Sequence, residues 1–168
     1  YLFGLWLGDG YSSGGKIGKN QEDWAEMGKY TPQPASVTIE IKKRIRPFEV
    51  RRFDGLTTDL RDLGVLNNKR IPPAYLRASF ADRLALLQGM CDTDGTCDTR
   101  GQVTIGFSNL ALATDLLELL GSLGIKATMI GRDAKDQYGR GARHYSMKFV
   151  TSLEAFRLPR KAERQKQA

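Results

Sequence analysis

Two aspartates, Asp9 and Asp94, stand in duplicated surroundings 85 residues apart in a chain of 168. The first belongs to the run Leu2-Phe3-Gly4-Leu5-Trp6-Leu7-Gly8-Asp9-Gly10, the second to Leu87-Gln88-Gly89-Met90-Cys91-Asp92-Thr93-Asp94-Gly95. One template fits both: a leucine, a glycine two positions on, a small residue (Gly8 or Thr93) four beyond that, then Asp-Gly. Paired carboxylates suit hard divalent cations such as Mg²⁺, with Mn²⁺ as a substitute, and metal-assisted hydrolysis is chemistry that such a pair can support once a fold brings it together. A single Asp-Gly is no more than a helix stop. Its duplication, across half the chain, points instead to two similar half-domains.

Each run reads as a helix ending at its Asp-Gly. Ser79 is placed to cap the second, with Asp82 three residues on and Ala85, Leu86, Leu87 and Met90 supplying apolar surface. Gly10 and Gly95 fall where a helix favours a left-handed residue just past its end. Gly4 and Gly8, and Gly89 and Thr93, are four apart and so share a face, which lets the two helices pack closer than the usual ~8–10 Å. Parallel packing then brings Asp9 and Asp94 to one end. Two carboxylates meeting at the negative ends of two helix dipoles are in conflict unless a cation lies between them. The expected metal site is Asp9 and Asp94 with Gly8 and Thr93 beside them.

The positioning framework is α+β. Ser36–Lys42 alternates, with Val37, Ile39 and Ile41 on one side, and Gln102–Ser108 repeats the pattern with Val103, Ile105 and Phe107 inward. Further strands are expected over Ile125–Arg132 and Arg143–Val150. Helices are expected over Phe48–Leu63 and Leu110–Leu120, the latter capped by Asn109 and ended by Gly121 or Gly124. Ser12–Ala35 reads as a long loop, and the first half as short of strands. The order helix, strands, helix occurs twice, so antiparallel sheets are expected in halves spanning 1–78 and 79–168. The outward strand positions carry Lys42, Arg44, Gln102, Thr104, Ser108, Lys126, Thr128, Arg132 and Ser146, side-chain types that contact phosphates and base edges. A solvated sheet face would look the same.

Composition narrows the classes. With 26 Lys and Arg against 19 acids, the net charge is +7, which favours an anionic partner, nucleic acid being the commonest. Hydrophobic residues at 40% and charged residues at 27% describe a folded domain rather than disorder. Cys91 and Cys97 lack the companions of a zinc set and read as buried free thiols, while the solitary His144 leaves no Ser-His or Cys-His pair for nucleophilic catalysis. No apolar run is long enough to span a membrane. The chain is expected to be a cytoplasmic monomer. Its start, within an apolar helix and without Met, suggests a piece of a longer protein.

The two runs resemble the motif pair that names the LAGLIDADG homing endonucleases, in the single-chain, two-motif form. Between them, Asn68-Lys69-Arg70-Ile71-Pro72-Pro73-Ala74-Tyr75-Leu76 is similar to the Lys-x-Ile-Pro block of members encoded within inteins, and Leu63–Ser79 resembles inteins inserted in bacterial replicative helicases. The resemblance implies a pseudo-twofold pair of αββαββ-like half-domains with the two motif helices packed at the centre and antiparallel sheets on DNA. It implies Asp9 and Asp94 as ligands of catalytic Mg²⁺, Lys69 as the lysine beside the scissile phosphates, and a long, asymmetric double-stranded target cut across the minor groove to leave 3′ overhangs. Lys148, on the last strand, is the candidate for the matching lysine of the second half. Asp92 has no counterpart, since Leu7 occupies its place.

Two rival readings also fit parts of this sequence. One is a relative that binds DNA or RNA without cutting, as maturases and regulators do. The other is an enzyme in which Asp92-x-Asp94 holds a metal–nucleotide complex, as in some glycosyltransferases. Splicing is not expected of this chain, which begins with Tyr1 and ends in Gln-Ala; a splicing domain is expected in the parent protein.

Overall fold

The computed structural model describes residues 1–40, 47–135 and 141–165. Its centre is a pair of helices, α1 (Leu2–Asp9) and α5 (Phe80–Asp94), packed in parallel. Between them in sequence come β1 (Lys16–Asn20), α2 (Gln21–Met27), a 3₁₀ turn at Gly28–Tyr30, β2 (Ser36–Glu40), β3 (Phe48–Arg52), α3 (Leu56–Asp62) and α4 (Pro73–Leu76). After α5 come β4 (Thr96–Cys97), β5 (Val103–Phe107), α6 (Leu110–Ser122), β6 (Ala127–Lys135), β7 (Gly141–Phe149) and α7 (Pro159–Ala162).

The small residues govern the central contact. A Cβ built on Gly89 would lie 2.8 Å from the Leu5 amide nitrogen and 2.9 Å from Gly4 Cα, and one on Gly4 would lie 3.0 Å from Gly89 Cα. The helices therefore meet backbone to backbone. One turn on, a Cβ at Gly8 would strike the Thr93 side chain and come within 2.7 Å of Asp94 Oδ2. Leu5, Trp6 and Leu7 are all fully buried, so α1 is apolar on every side, as a central helix must be. Ser79 caps α5 as its sequence foretold: its hydroxyl accepts from the Asp82 amide at 3.2 Å and donates to the Asp82 carboxylate at 2.6 Å.

Two antiparallel sheets flank this pair, one ordered β1-β3-β2 and the other β4-β5-β7-β6. The second half follows αββαββ order, and the first matches it strand for strand except at β4, where a single bridge, Gly10 to Ile17, stands in. The expected shortage of strands in the first half thus amounts to one.

Several local expectations are corrected. The segment Ser12–Ala35 is not a loop; it holds β1 and α2, where Asn20 accepts the Asp23 amide at 2.7 Å as a cap and Trp24 and Met27 are buried one turn apart. Phe48–Leu63 is not one helix. Its first five residues are the central strand of the sheet, and Gly55, at φ +73°, turns the chain into α3. Val37 and Ile39 share a strand face as expected, but they lie 49% and 56% exposed. Helix α2 packs on β1 and β3, leaving the edge strand β2 beyond its cover. Gly10 and Gly95 are extended (φ −73° and −79°) rather than left-handed. They are needed for space: a Cβ on Gly95 would sit 2.6 Å from the Cys91 carbonyl oxygen, and one on Gly10 would collide with Trp6. Helix α6 runs through Gly121, and the left-handed residue past its end is Gly124, at φ +74°. Val103, Ile105 and Phe107 are buried, and Cys91 and Cys97 are buried free thiols, all as read from the sequence.

Candidate active site

At the shared C-terminal end of α1 and α5, two carboxylates and three lysines converge. Asp9 forms an ion pair with Lys19, whose ammonium also donates to the Thr93 carbonyl at 3.3 Å. That one cation therefore spans from the end of α1 to the end of α5. Asp94 reaches solvent, yet the protein crowded around its carboxyl, together with the nearby Asp9 carboxylate, pushes its pKa up to about 6, against the pull of Lys19, Lys69 and Lys161.

The lysine ammoniums take the place of ordinary helix C-caps. Lys69 Nζ donates to the carbonyls of Leu7 (3.0 Å), Gly8 (3.2 Å) and Gly10 (2.8 Å), closing α1. Lys161 Nζ donates to those of Asp92 (2.7 Å), Thr93 (3.5 Å) and Gly95 (2.7 Å), and to Cys91 at 2.9 Å, closing α5. The first three acceptors of Lys161 are the second-motif counterparts of the three that Lys69 uses. A cation at the end of a helix complements its dipole as well as its orphan carbonyls. Burial pushes both amines down to about 8.

The lysine that mirrors Lys69 is thus Lys161 and not Lys148. Lys148 lies in mid-sheet on β7, opposite Thr104 on one side and Thr128 on the other. The Gly10–Ile17 bridge sets Lys16 level with Thr104, so the first-half residue matching Lys148 is Arg52, the partner of Lys16. Both are basic residues on outer sheet faces.

Asp92 does not share the opening. It is fully buried, accepts the Tyr1 hydroxyl at 2.5 Å and the Arg157 and Leu158 amides at 3.1 Å, and so anchors the C-terminal segment that carries Lys161. This geometry removes the Asp92-x-Asp94 metal–nucleotide arrangement.

Of the expected surface residues, Thr104, Lys148 and Thr128 form one row across three strands, with Ser146 and then Arg132, opposite His144, in rows beyond. Gln102, Ser108 and Lys126 flank the strand ends on the same alternation. In the other sheet Lys16, Arg52 and Ser36 form the comparable row. Lys42 and Arg44 lie outside the described residues. Lys161 and Lys19 were missed in the sequence because no motif surrounds them.

Among the described residues no group of three or more His, Cys, Asp or Glu side chains gathers to hold a metal. A cation at the opening would draw its protein ligands from the two carboxylates and main-chain oxygens such as that of Thr93, a hard-oxygen set that fits Mg²⁺. The Lys19 ammonium, bridging an acidic side chain and a carbonyl, shows that a positive charge is accommodated there. Protons compete with metal for Asp94. Because its pKa is raised to about 6, Mn²⁺ affinity measured by titration calorimetry is expected to hold above that pH and to fall by about tenfold per unit below it. An affinity that stays flat down to pH 5 would exclude Asp94 as a ligand.

The model for a LAGLIDADG-like domain matches residues 81–157, the span from α5 through β7 to the Asp92-anchored segment. The replicative DNA helicase DnaB of Mycobacterium intracellulare is 34% identical over 162 residues, covering 96% of this chain and 25% of that protein. Structures of the homing endonuclease I-DmoI share the fold: mesophilic variants align at a TM-score of 0.56 with 16% identity over 89% of this chain and 86% of theirs.

Residues 81–157 form a LAGLIDADG-like domain.

A further I-DmoI structure, a variant in complex with its target DNA in the presence of manganese, aligns at a TM-score of 0.56 with 17% identity, over 89% of this chain and 85% of that one. At such identities the likeness is one of fold. The two motif helices and their flanking sheets are the LAGLIDADG architecture, α+β with two antiparallel sheets. The chain spans about a quarter of the helicase it matches. Among the described residues no helix is long and apolar enough to cross a membrane.

Proposed function

We propose that this chain is the site-specific endonuclease domain of an intein, cutting double-stranded DNA with Mg²⁺ held by Asp9 and Asp94. The observation that carries the reading is the convergence of both aspartates with three lysines at the joined ends of α1 and α5. A bound divalent metal would supply Lewis acidity and an activated water there. The protein's own groups do the rest. The two sheets offer rows of Lys, Arg, Thr and Ser to the phosphates and base edges of a long target, each half reading one part of it. The helix ends fix where the scissile phosphates sit. Lys69 and Lys161, one per half, place fixed positive charge beside the developing charge on each phosphate, an arrangement that needs no reorganisation as the reaction proceeds. Their amines, held by carbonyls, are oriented before DNA arrives. The I-DmoI structures with magnesium or manganese and target DNA, and the alignment of nearly the whole chain with a quarter of a replicative helicase, as a domain inserted in a larger protein would align, support the same reading.

The test is plasmid cleavage with Mg²⁺, using the uninterrupted host-gene sequence as target and EDTA as the control. Single-site linearisation that EDTA abolishes is the expected result. Tight binding without cutting would instead assign the chain to the non-cutting relatives.

The lysines separate in the same assay. Lys69→Met and Lys161→Met are each expected to slow cutting by about 100-fold at saturating protein, the scale of one lost charge-stabilising donor. Lys148→Met is expected to weaken DNA binding and to lower the slope of log affinity against log salt by about one contact. A loss of cutting rate in Lys148→Met that matches Lys161→Met would overturn this division of roles.

A further inference from the structure

Each lysine that closes a motif helix is followed or preceded by an arginine that crosses to the other half of the molecule. Arg70, next to Lys69, makes a two-pronged ion pair with Asp115 on α6, Nε to Oδ2 at 2.6 Å and Nη2 to Oδ1 at 2.9 Å. The same carboxylate accepts the Ile71 amide at 3.0 Å, and Asn109, the cap of α6, donates to the Lys69 carbonyl at 3.0 Å. Arg160, next to Lys161, makes the mirror-image pair with Asp23 on α2, Nε to Oδ1 at 2.8 Å and Nη2 to Oδ2 at 2.7 Å. Helices α2 and α6 occupy equivalent places, each following the first full strand of its half. Both aspartates are buried, at 3% and 6% exposure, while their arginines are half exposed.

A buried carboxylate that grips a guanidinium with two parallel hydrogen bonds fixes both distance and plane, which a single-point contact does not. Each lysine-bearing segment is short and irregular around its helix: α4 and α7 have four residues apiece. Such segments hold a side chain to catalytic tolerance only when something outside them does the holding. Here the lysine is tied at one end to the helix of its own half and at the other to a helix of the opposite half.

We infer that Asp115 and Asp23 are positioning residues for the two lysines, Asp115 for Lys69 and Asp23 for Lys161, so that each clamp serves the cutting of a different DNA strand. The inference rests on the endonuclease reading for the strand assignment, but the clamp itself stands apart from it. A displacement of about 1 Å in a catalytic group costs up to roughly 100-fold in rate. Loss of one clamp is therefore expected to slow one strand by about tenfold or more and to leave the other within about twofold.

Two readouts test it on the full chain. The first is strand-resolved cleavage of a target labelled on either strand, with Asp115→Asn and Asp23→Asn. Nicked intermediate is expected to accumulate with opposite strands intact in the two variants. Arg70→Gln and Arg160→Gln, which remove the exposed partner, should reproduce the pattern if a buried asparagine impairs folding. The second readout needs no catalysis: acetylation by a limiting amine-reactive reagent, mapped by mass spectrometry, is expected to rise at Lys69 in Asp115→Asn and at Lys161 in Asp23→Asn. Equal slowing of both strands in every variant, or unchanged acetylation at both lysines, overturns the clamp. If the unmodified chain cuts no DNA while acetylation shifts as described, the clamp stands and the endonuclease reading falls.

Discussion

Asp9→Asn and Asp94→Asn are each expected to reduce plasmid cutting by about 1,000-fold or more, the equivalent of several kcal/mol of lost transition-state stabilisation. The two carboxylates share one opening, and a neutral amide is a poor ligand for a hard cation, so either substitution empties the site for both strands. DNA binding should survive, because the sheet rows that make it are untouched. Stability supplies an independent sign. The protein crowded around the Asp94 carboxyl, and then the Asp9 carboxylate, push its pKa up to about 6 in the folded protein, above the ordinary carboxylate range. A raised carboxyl pKa means that the folded state loses stability as pH climbs from the unfolded value through the folded one, and carries the full penalty above it. Asparagine has no charge to penalise. Metal-free Asp94→Asn is therefore expected to melt at a higher temperature than the unmodified chain at pH 7.5, and the two should converge near pH 4. Cutting that persists in Asp94→Asn, or a lower melting temperature at pH 7.5, would contradict the shared-site geometry.

The second large effect falls on the fold. Gly89→Ala places a methyl group 2.8 Å from the Leu5 nitrogen, with backbone and not a flexible side chain in its way. Relief requires separating α1 from α5, which opens the centre of the core. A cost of about 3 kcal/mol, at the upper end of overpacking, corresponds to roughly 10 °C in Tm for a chain of this size. Gly121→Ala is the matched control. It sits in the last turn of α6 with nothing within 4 Å of its built Cβ, so the same chemical change should stabilise by about 0.5 kcal/mol, chiefly through reduced unfolded-state freedom. Thermal melts of the two variants are expected to shift in opposite directions. A Gly89→Ala protein that melts like the unmodified chain would mean that the helices do not approach as closely as described.

What the sequence disclosed, and what it withheld, follows from how far each signal extends. Asp9, Asp94 and Lys69 were legible because each sits in a run of several constrained residues: a small face, a helix end, a Lys-x-Ile-Pro block. Strand β5 was legible because Val103, Ile105 and Phe107 alternate fully and all three are buried. Strand β1 was not, since Ile17 is its one large apolar residue and Gly18 and Lys19 interrupt the pattern. Strand β3 was lost inside an expected helix because a buried Glu49, paired with Arg51 at 2.5 Å, hides a core position behind a charge. Asn20 with Asp23 three residues on and Trp24 and Met27 beyond was a legible helix start that the surrounding Gly and Lys residues masked. Lys161 had no local mark at all. Its place is set by a buried Asp92 over sixty residues earlier in the chain and by Asp23 in the other half. Contacts of that span leave no periodic trace. The exposure of Val37 and Ile39 was hidden for the same reason: periodicity reports which residues share a face, while the reach of α2 decides whether that face is covered.

The crossed Arg–Asp pairs also bear on how such proteins can be recombined. A chimera that joins the first motif and its Lys-Ile-Pro block to a second half from another relative would keep Arg70 but depend on its new neighbour for an acid at the place of Asp115. In the reverse direction it would depend on that neighbour for an arginine to meet Asp23. Two halves that each fold well alone would then fail as a couple wherever these partners disagree. Matching two residue pairs, rather than maximising overall identity, becomes the criterion for choosing which halves to exchange.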